Sequence, residues 1–175
     1  MNLANITITR RLQFMIGIAV VAVIVMVLTG AQVAGTIRSS LTYAHANTLP
    51  SVEAISEIND SFLRLRLQVL YHLAVKEPER KVELEKQMKE QRDRIIAGLD
   101  TYEKNLLSDA KDKELLTDER TFFTTYFQEI EAVLASSRAN DYEATWAGVA
   151  KATANMKKLS DVIAAHKKYN DDLAD

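Results

Sequence analysis

Cysteine is absent from this chain. That excludes disulfide staples, thiolate zinc sites, thiol nucleophiles and covalently attached haem. Glycine and proline are scarce, five and two in 175 residues, so no Gly-rich phosphate loop is present. Charge of one sign is not in excess: 22 Lys and Arg stand against 24 Asp and Glu. Without a polybasic face, nucleic acid is not an expected partner. The three histidines, His45, His72 and His166, are isolated along the sequence, and no Glu-x-x-His pair of the kind di-iron bundles use occurs. No serine elbow or paired catalytic carboxylates stand out. The expectation is a protein that is not an enzyme and holds no metal or cofactor.

What the chain does have is one long uncharged run. Residues 12–37 carry no charged side chain, and residues 14–28 (FMIGIAVVAVIVMVL) are almost wholly apolar. About 20 such residues cross a bilayer as a helix. Arg10 and Arg11 precede the run, whereas beyond it only Arg38 comes before Glu53. The positive-inside rule then leaves residues 1–11 in the cytoplasm and puts residues 38–175 outside. A cleaved signal peptide has the same order of basic start, apolar stretch and small residues (Thr29, Gly30, Ala31). The run is long for a signal, and helical composition continues past it, which favours an anchor in the lipid.

Ala, Leu, Glu, Lys and Arg dominate the remainder, the makeup of long helices. Four are expected, at about 38–75, 79–107, 113–138 and 141–175. In the first, Ile55, Ile58, Phe62, Leu65, Val69 and His72 recur at alternating steps of three and four, a heptad seam. Pro50 predicts a kink or a fresh start. The second seam reads Met88, Arg92, Ile95, Leu99, Tyr102 and Leu106. The third reads Leu116, Glu119, Phe123, Tyr126, Ile130 and Val133. The fourth reads Tyr142, Trp146, Val149, Thr153, Met156 and Ile163. Pro78 opens the second helix, either aspartate of the 108–112 break can cap the third, and Asn140 with Glu143 has capping-box spacing for the fourth. Three short breaks force antiparallel neighbours. The fold class is therefore all-α: an N-terminal transmembrane helix and an up-down-up-down four-helix bundle. The last helix returns toward the membrane with no second apolar run, so a continuation is expected.

Particular residues also carry a family likeness. Asn2, Leu3 and residues 6–12 (ITITRRL) before an apolar helix resemble the opening of bacterial methyl-accepting chemotaxis receptors. Leu49 and Pro50, followed by Ile55 and Ile58, resemble the entry of that family's first periplasmic helix. Arg64 and Arg66, within residues 62–66, resemble its arginine-bearing stretch, and residues 169–174 resemble the end of its fourth helix. The resemblance covers the whole chain and rests on order and spacing. It implies a periplasmic sensor domain in the inner membrane that binds small molecules and dimerises through its first helix. It also implies cytoplasmic signalling partners reached only through a C-terminal part beyond these residues.

Inward polar groups in a bundle cost free energy unless paired, so they mark candidate binding positions. Counting from the membrane-distal tip puts Arg64, Arg66, Arg92, Thr125, Tyr126, Thr153 and Asn155 at one level. An arginine fork suits carboxylates, and hydroxyl, phenol and amide groups complete the hydrogen bonding. A small organic acid or an amino acid is the expected ligand. Plainer readings stand beside this one. Arg64 lies off the seam and fits an exposed position, and Arg66 fits a dimer interface. A drift of one position replaces Arg92 by Gln91, and Tyr126 and Trp146 fit ordinary packing. The same module also serves histidine kinases and cyclic-dinucleotide enzymes, and an anchor contacting a periplasmic protein is a further alternative.

Overall fold

A computed structural model describes residues 7–173. The polar stub through Ile6, and Ala174 of the closing motif, lie outside the described residues. The chain divides into two compact units, residues 1–43 and 44–175.

The first unit is one helix, α1 (Ile8–Tyr43). Its apolar side chains are exposed all round, Phe14, Ile18, Val25 and Leu28 among them. A helix apolar on every face suits a hydrocarbon surrounding. It is long and apolar enough to cross a membrane. Thr29 and Thr36 satisfy their hydroxyls within the helix, Thr29 donating to Val25 O at 2.9 Å and Thr36 to Gln32 O at 3.1 Å.

The second unit begins with a π-helical turn, Ala44–Thr48, and continues as α2 (Leu49–Ala74). The change of helix type falls where Pro50 predicts one. Proline here sits in the first turn of α2, where its missing N–H costs nothing. Then follow α3 (Pro78–Asn105), α4 (Ala110–Arg138) and α5 (Tyr142–Asp172). Asp109 caps α4, accepting from Lys111 N at 2.8 Å and Asp112 N at 2.9 Å. Asp141 caps α5 by accepting from Ala144 N at 3.0 Å. The capping box expected from Asn140 does not form, because Asn140 takes a left-handed φ of 57° in the turn leaving α4.

The four helices pack antiparallel, mainly as two hairpins, α2 on α3 and α4 on α5. All six predicted seam residues of α2 are buried, and so are all six of α4. On α3 the seam runs through Gln91, and Arg92 is exposed. On α5 the seam differs more: Thr145, Ala152, Leu159, Ile163, His166 and Asn170 are buried, while Tyr142, Trp146 and Thr153 face outward. Val149 and Met156 are half-buried at the edge. The cause is the tightness of the α4–α5 contact. A Cβ on Gly148 would stand 2.8 Å from Val133 Cγ2. Such closeness needs small residues facing α4, and it turns the large aromatics away.

Gly98 is the matching close approach on the other hairpin. A Cβ there would lie 2.8 Å from Ile58 Cγ1. Replacing Gly98 with Val should therefore overpack the α2–α3 contact and cost about 1–3 kcal/mol. Urea unfolding of the full chain in detergent, followed by far-UV circular dichroism, measures it. Unchanged stability would mean that the two helices separate freely there.

Candidate functional site

Two kinds of place in the bundle hold chemistry: a buried polar cluster at each end, and grooves along the helix contacts.

At the end where α2 begins and α5 finishes, His166 is fully buried. Its Nδ1 lies 2.9 Å from Glu119 Oε1 and its Nε2 lies 2.7 Å from Asp112 Oδ1. The Tyr102 hydroxyl donates to Asp112 Oδ1 at 2.8 Å and accepts from Asn170 Nδ2 at 2.8 Å. The backbone N–H of Ser108 and its hydroxyl both donate to Asp112 Oδ2, at 2.9 and 3.0 Å. Burial disfavours an imidazolium, but the hydrogen bonds to Asp112 and Glu119 and their charges prevail, and the pKa of His166 rises to about 9. Burial likewise opposes ionisation of Asp112, yet the bonds from His166, Ser108 and Tyr102 hold it well below the usual carboxylate range. His166 is thus a cation with an N–H aimed at a carboxyl group on each side.

The opposite end carries a second cluster. His72, also fully buried, meets Glu85 Oε1 through Nε2 at 2.9 Å and Ser137 Oγ through Nδ1 at 3.2 Å. Lys81 donates to Ser137 O at 2.7 Å and to Ser137 Oγ at 3.1 Å, and Arg138 pairs with Glu85 at 2.9 Å. Burial lowers the pKa of His72, only partly offset by Glu85, and the charges of Lys81 and Arg138 lower it further. One consistent proton order is Lys81 to Ser137 Oγ, Ser137 to His72 Nδ1, and His72 Nε2–H to Glu85.

Between the ends the core is aromatic. Phe62 meets Phe123 and Tyr126 edge-on, with centroids 5.5 and 5.2 Å apart. Here lie the residues expected to share a ligand, and the structure spreads them over different faces. Arg64 is exposed in an open α2–α3 groove of about 640 Å³, beside Arg94. Arg66 is half-buried with its guanidinium 5.6 Å from the Phe62 ring centroid. Arg92 lies over the Phe127 ring at 4.9 Å, in an α3–α4 groove of about 410 Å³. Thr125 and Thr153 turn their hydroxyls back onto their own helices, to Thr121 O and Val149 O. Tyr126 is core packing, and Asn155 donates to Glu129 Oε1 at 2.6 Å. Arg66 and Tyr126 remain close neighbours, both against Phe62.

Sequence reasoning missed His166. Its place was readable, since Leu159, Ile163, His166 and Asn170 continue a four-three-four seam. Its partners were not readable, because Glu119, Asp112 and Tyr102 lie 47, 54 and 64 residues away on other helices.

The chain belongs to the family of four-helix-bundle sensory modules for signal transduction, whose model matches residues 5–175. No curated protein and no solved structure matches it.

The two histidines set opposite pH limits. The stabilisation from His166, its pKa raised from 6.5 to about 9, is complete below pH 6.5 and is lost as pH rises through 9. His72, its pKa lowered, stabilises above pH 6.5, and this is lost as pH falls below it. Denaturant midpoints of the full chain should therefore peak near pH 6.5 and fall on both sides. His166→Gln should cost about 3–5 kcal/mol by leaving two buried carboxyl groups without their cation, and should flatten the alkaline limb. An alkaline limb that persists in His166→Gln would assign it to another group.

Proposed function

We propose that this module is the extracytoplasmic sensor of a chemotaxis receptor, held in the inner membrane by α1, with the bundle in the periplasm. Its ligand is a small organic acid or an amino acid. The observation that carries this reading is the α3–α4 groove. Met88, Ile96, Ile130 and Leu134 give it apolar walls, with Phe127 lining it beside Arg92. Glu85 and Glu131 in this groove are taken by Arg138, and Asp93 by Lys89. Arg92, by contrast, forms no ion pair among the described residues and rests on an aromatic face. A guanidinium at an apolar groove suits a carboxylate with an apolar body.

Signalling follows from unequal binding. A ligand that bridges α3 and α4 in one arrangement of the bundle shifts the population toward it, by no more than its difference in affinity for the two. The change is carried by α5, which packs on α4 along its length.

The module acts as a homodimer through α2. Leu63, Leu67 and Leu70 on that helix are 46, 49 and 56 % exposed. Their four-three spacing forms a second seam on the side of α2 away from the core, and a second copy would cover it.

Isothermal titration of the full chain in detergent against succinate, glutamate and leucine tests the ligand class. Arg92→Ala should weaken binding of the active acid by about 10–100-fold, the equivalent of a charge-assisted hydrogen bond. Arg66→Ala and Arg64→Ala, both outside this groove, should leave it unchanged. Wild-type affinity in Arg92→Ala would end the acid-site reading. For the dimer, Leu67→Glu should convert a cross-linkable pair to monomer, and undiminished cross-linking would place the interface elsewhere.

A further inference from the structure

The turn from α2 to α3 and the turn from α4 to α5 come together at one end of the bundle. Between them is a cavity of about 270 Å³, distinct from the α3–α4 groove. Leu73 and Val75 line it from one turn, and Tyr142 and Trp146 from the start of α5. Lys81 and Ser137 also line it.

Lys81 is the unusual feature. Its side chain is only 8 % exposed, and its ammonium is hydrogen-bonded to two neutral acceptors of Ser137. No carboxylate forms an ion pair with it among the described residues. Glu85, nearby in the same cluster, is already held by His72 and Arg138. Asp141, which shares the cavity wall, is turned to the N–H of Ala144 at the head of α5. An ammonium has three donors, so one remains beyond the two used here. A desolvated cation facing only neutral partners is costly, and an anion brought to it regains that cost. The positive charge is felt inside the bundle, since it helps hold His72 neutral.

Tyr142 and Trp146 supply the other half. They stand one helical turn apart on α5, 75 and 51 % exposed, with no aromatic ring contact among the described residues. Two flat faces beside a buried ammonium suit a ligand with a planar apolar body and one negative end.

We propose that this cavity binds a small monocarboxylate with a flat apolar body, its carboxylate on Lys81 Nζ and its body against Trp146 and Tyr142. The site goes beyond the α3–α4 groove and is physically linked to it. Ser137 joins Lys81 to His72, and His72 joins Glu85 and through it Arg138, both of which line that groove.

Trp146 is the sole tryptophan of the chain, so its fluorescence reports on this cavity. The full chain in detergent is titrated with benzoate, and with benzamide as its uncharged counterpart. Benzoate should give a saturable change in Trp146 emission, and benzamide should bind at least about tenfold more weakly. Lys81→Met should lose benzoate affinity by a similar factor, with helicity checked by circular dichroism. Arg94→Ala, in the α2–α3 groove, should keep it. Tyr142→Ala alters only an exposed side chain and should weaken binding several-fold, which covers the case of a Lys81→Met protein that fails to fold. No saturable change in the wild type, equal affinity for benzamide, or wild-type affinity in a folded Lys81→Met would each overturn the proposal. Loss of the signal in Arg92→Ala but not in Lys81→Met would move the ligand to the α3–α4 groove and overturn it as well.

Discussion

His166 holds α5 against α4 and α3 by sitting, as a cation, between two carboxyl groups where no water reaches. Asp112 and Glu119 are two turns apart on α4, and the imidazole spans them with its two nitrogens. Tyr102 on α3 and Asn170 one turn further along α5 complete the ring of hydrogen bonds. Apolar seams alone permit neighbouring registers, because one leucine packs nearly as well as another a turn away. A buried ion triad does not, since a slip of one turn would leave charges unpaired in a low dielectric. The same Asp112 binds Ser108 in the α3–α4 turn, so loop and register are fixed together.

The other end repeats the device with different chemistry. His72 is neutral and passes hydrogen bonds from the Lys81–Ser137 side to the Glu85–Arg138 side. Between the two clusters the bundle is held by Phe62, Phe123, Tyr126 and Phe127, whose contacts are less directional than ion pairs. For a sensory module the consequence is mechanical. The middle and the grooves can yield at modest cost, whereas motion of α5 at its end must carry the His166 cluster with it or break it. Any signal passing down α5 is thereby confined to small displacements, or to a switch between two states of that cluster.

The seams of α2 and α4 were legible because each has a bulky apolar residue at every step, and only one face of the helix satisfies the alternation. The seam of α5 was not. Its large residues, Tyr142 and Trp146, suggested a core position, but Gly148 against Val133 demands small ones. On α3, Gln91 and Arg92 compete for one place, and the longer, permanently charged side chain went to the surface with its guanidinium on Phe127. Counting residues from the tip aligned the expected site residues in height. It could not give their rotation about each helix, and rotation is what separated Arg64 from Arg92 and turned Thr153 outward.

By itself the sequence determined the apolar helix, the four amphipathic helices, their antiparallel order and most of their inward faces. These follow from periodicity and breaks along one strand of chain, and need no knowledge of neighbours. The tertiary structure alone decided which polar residues meet. His166 with Asp112 and Glu119, Lys81 with Ser137 and His72, and Arg92 with Phe127 are contacts between helices. Their partners lie far apart in sequence, and their geometry depends on how close two helices come, which the small residues at Gly98 and Gly148 set.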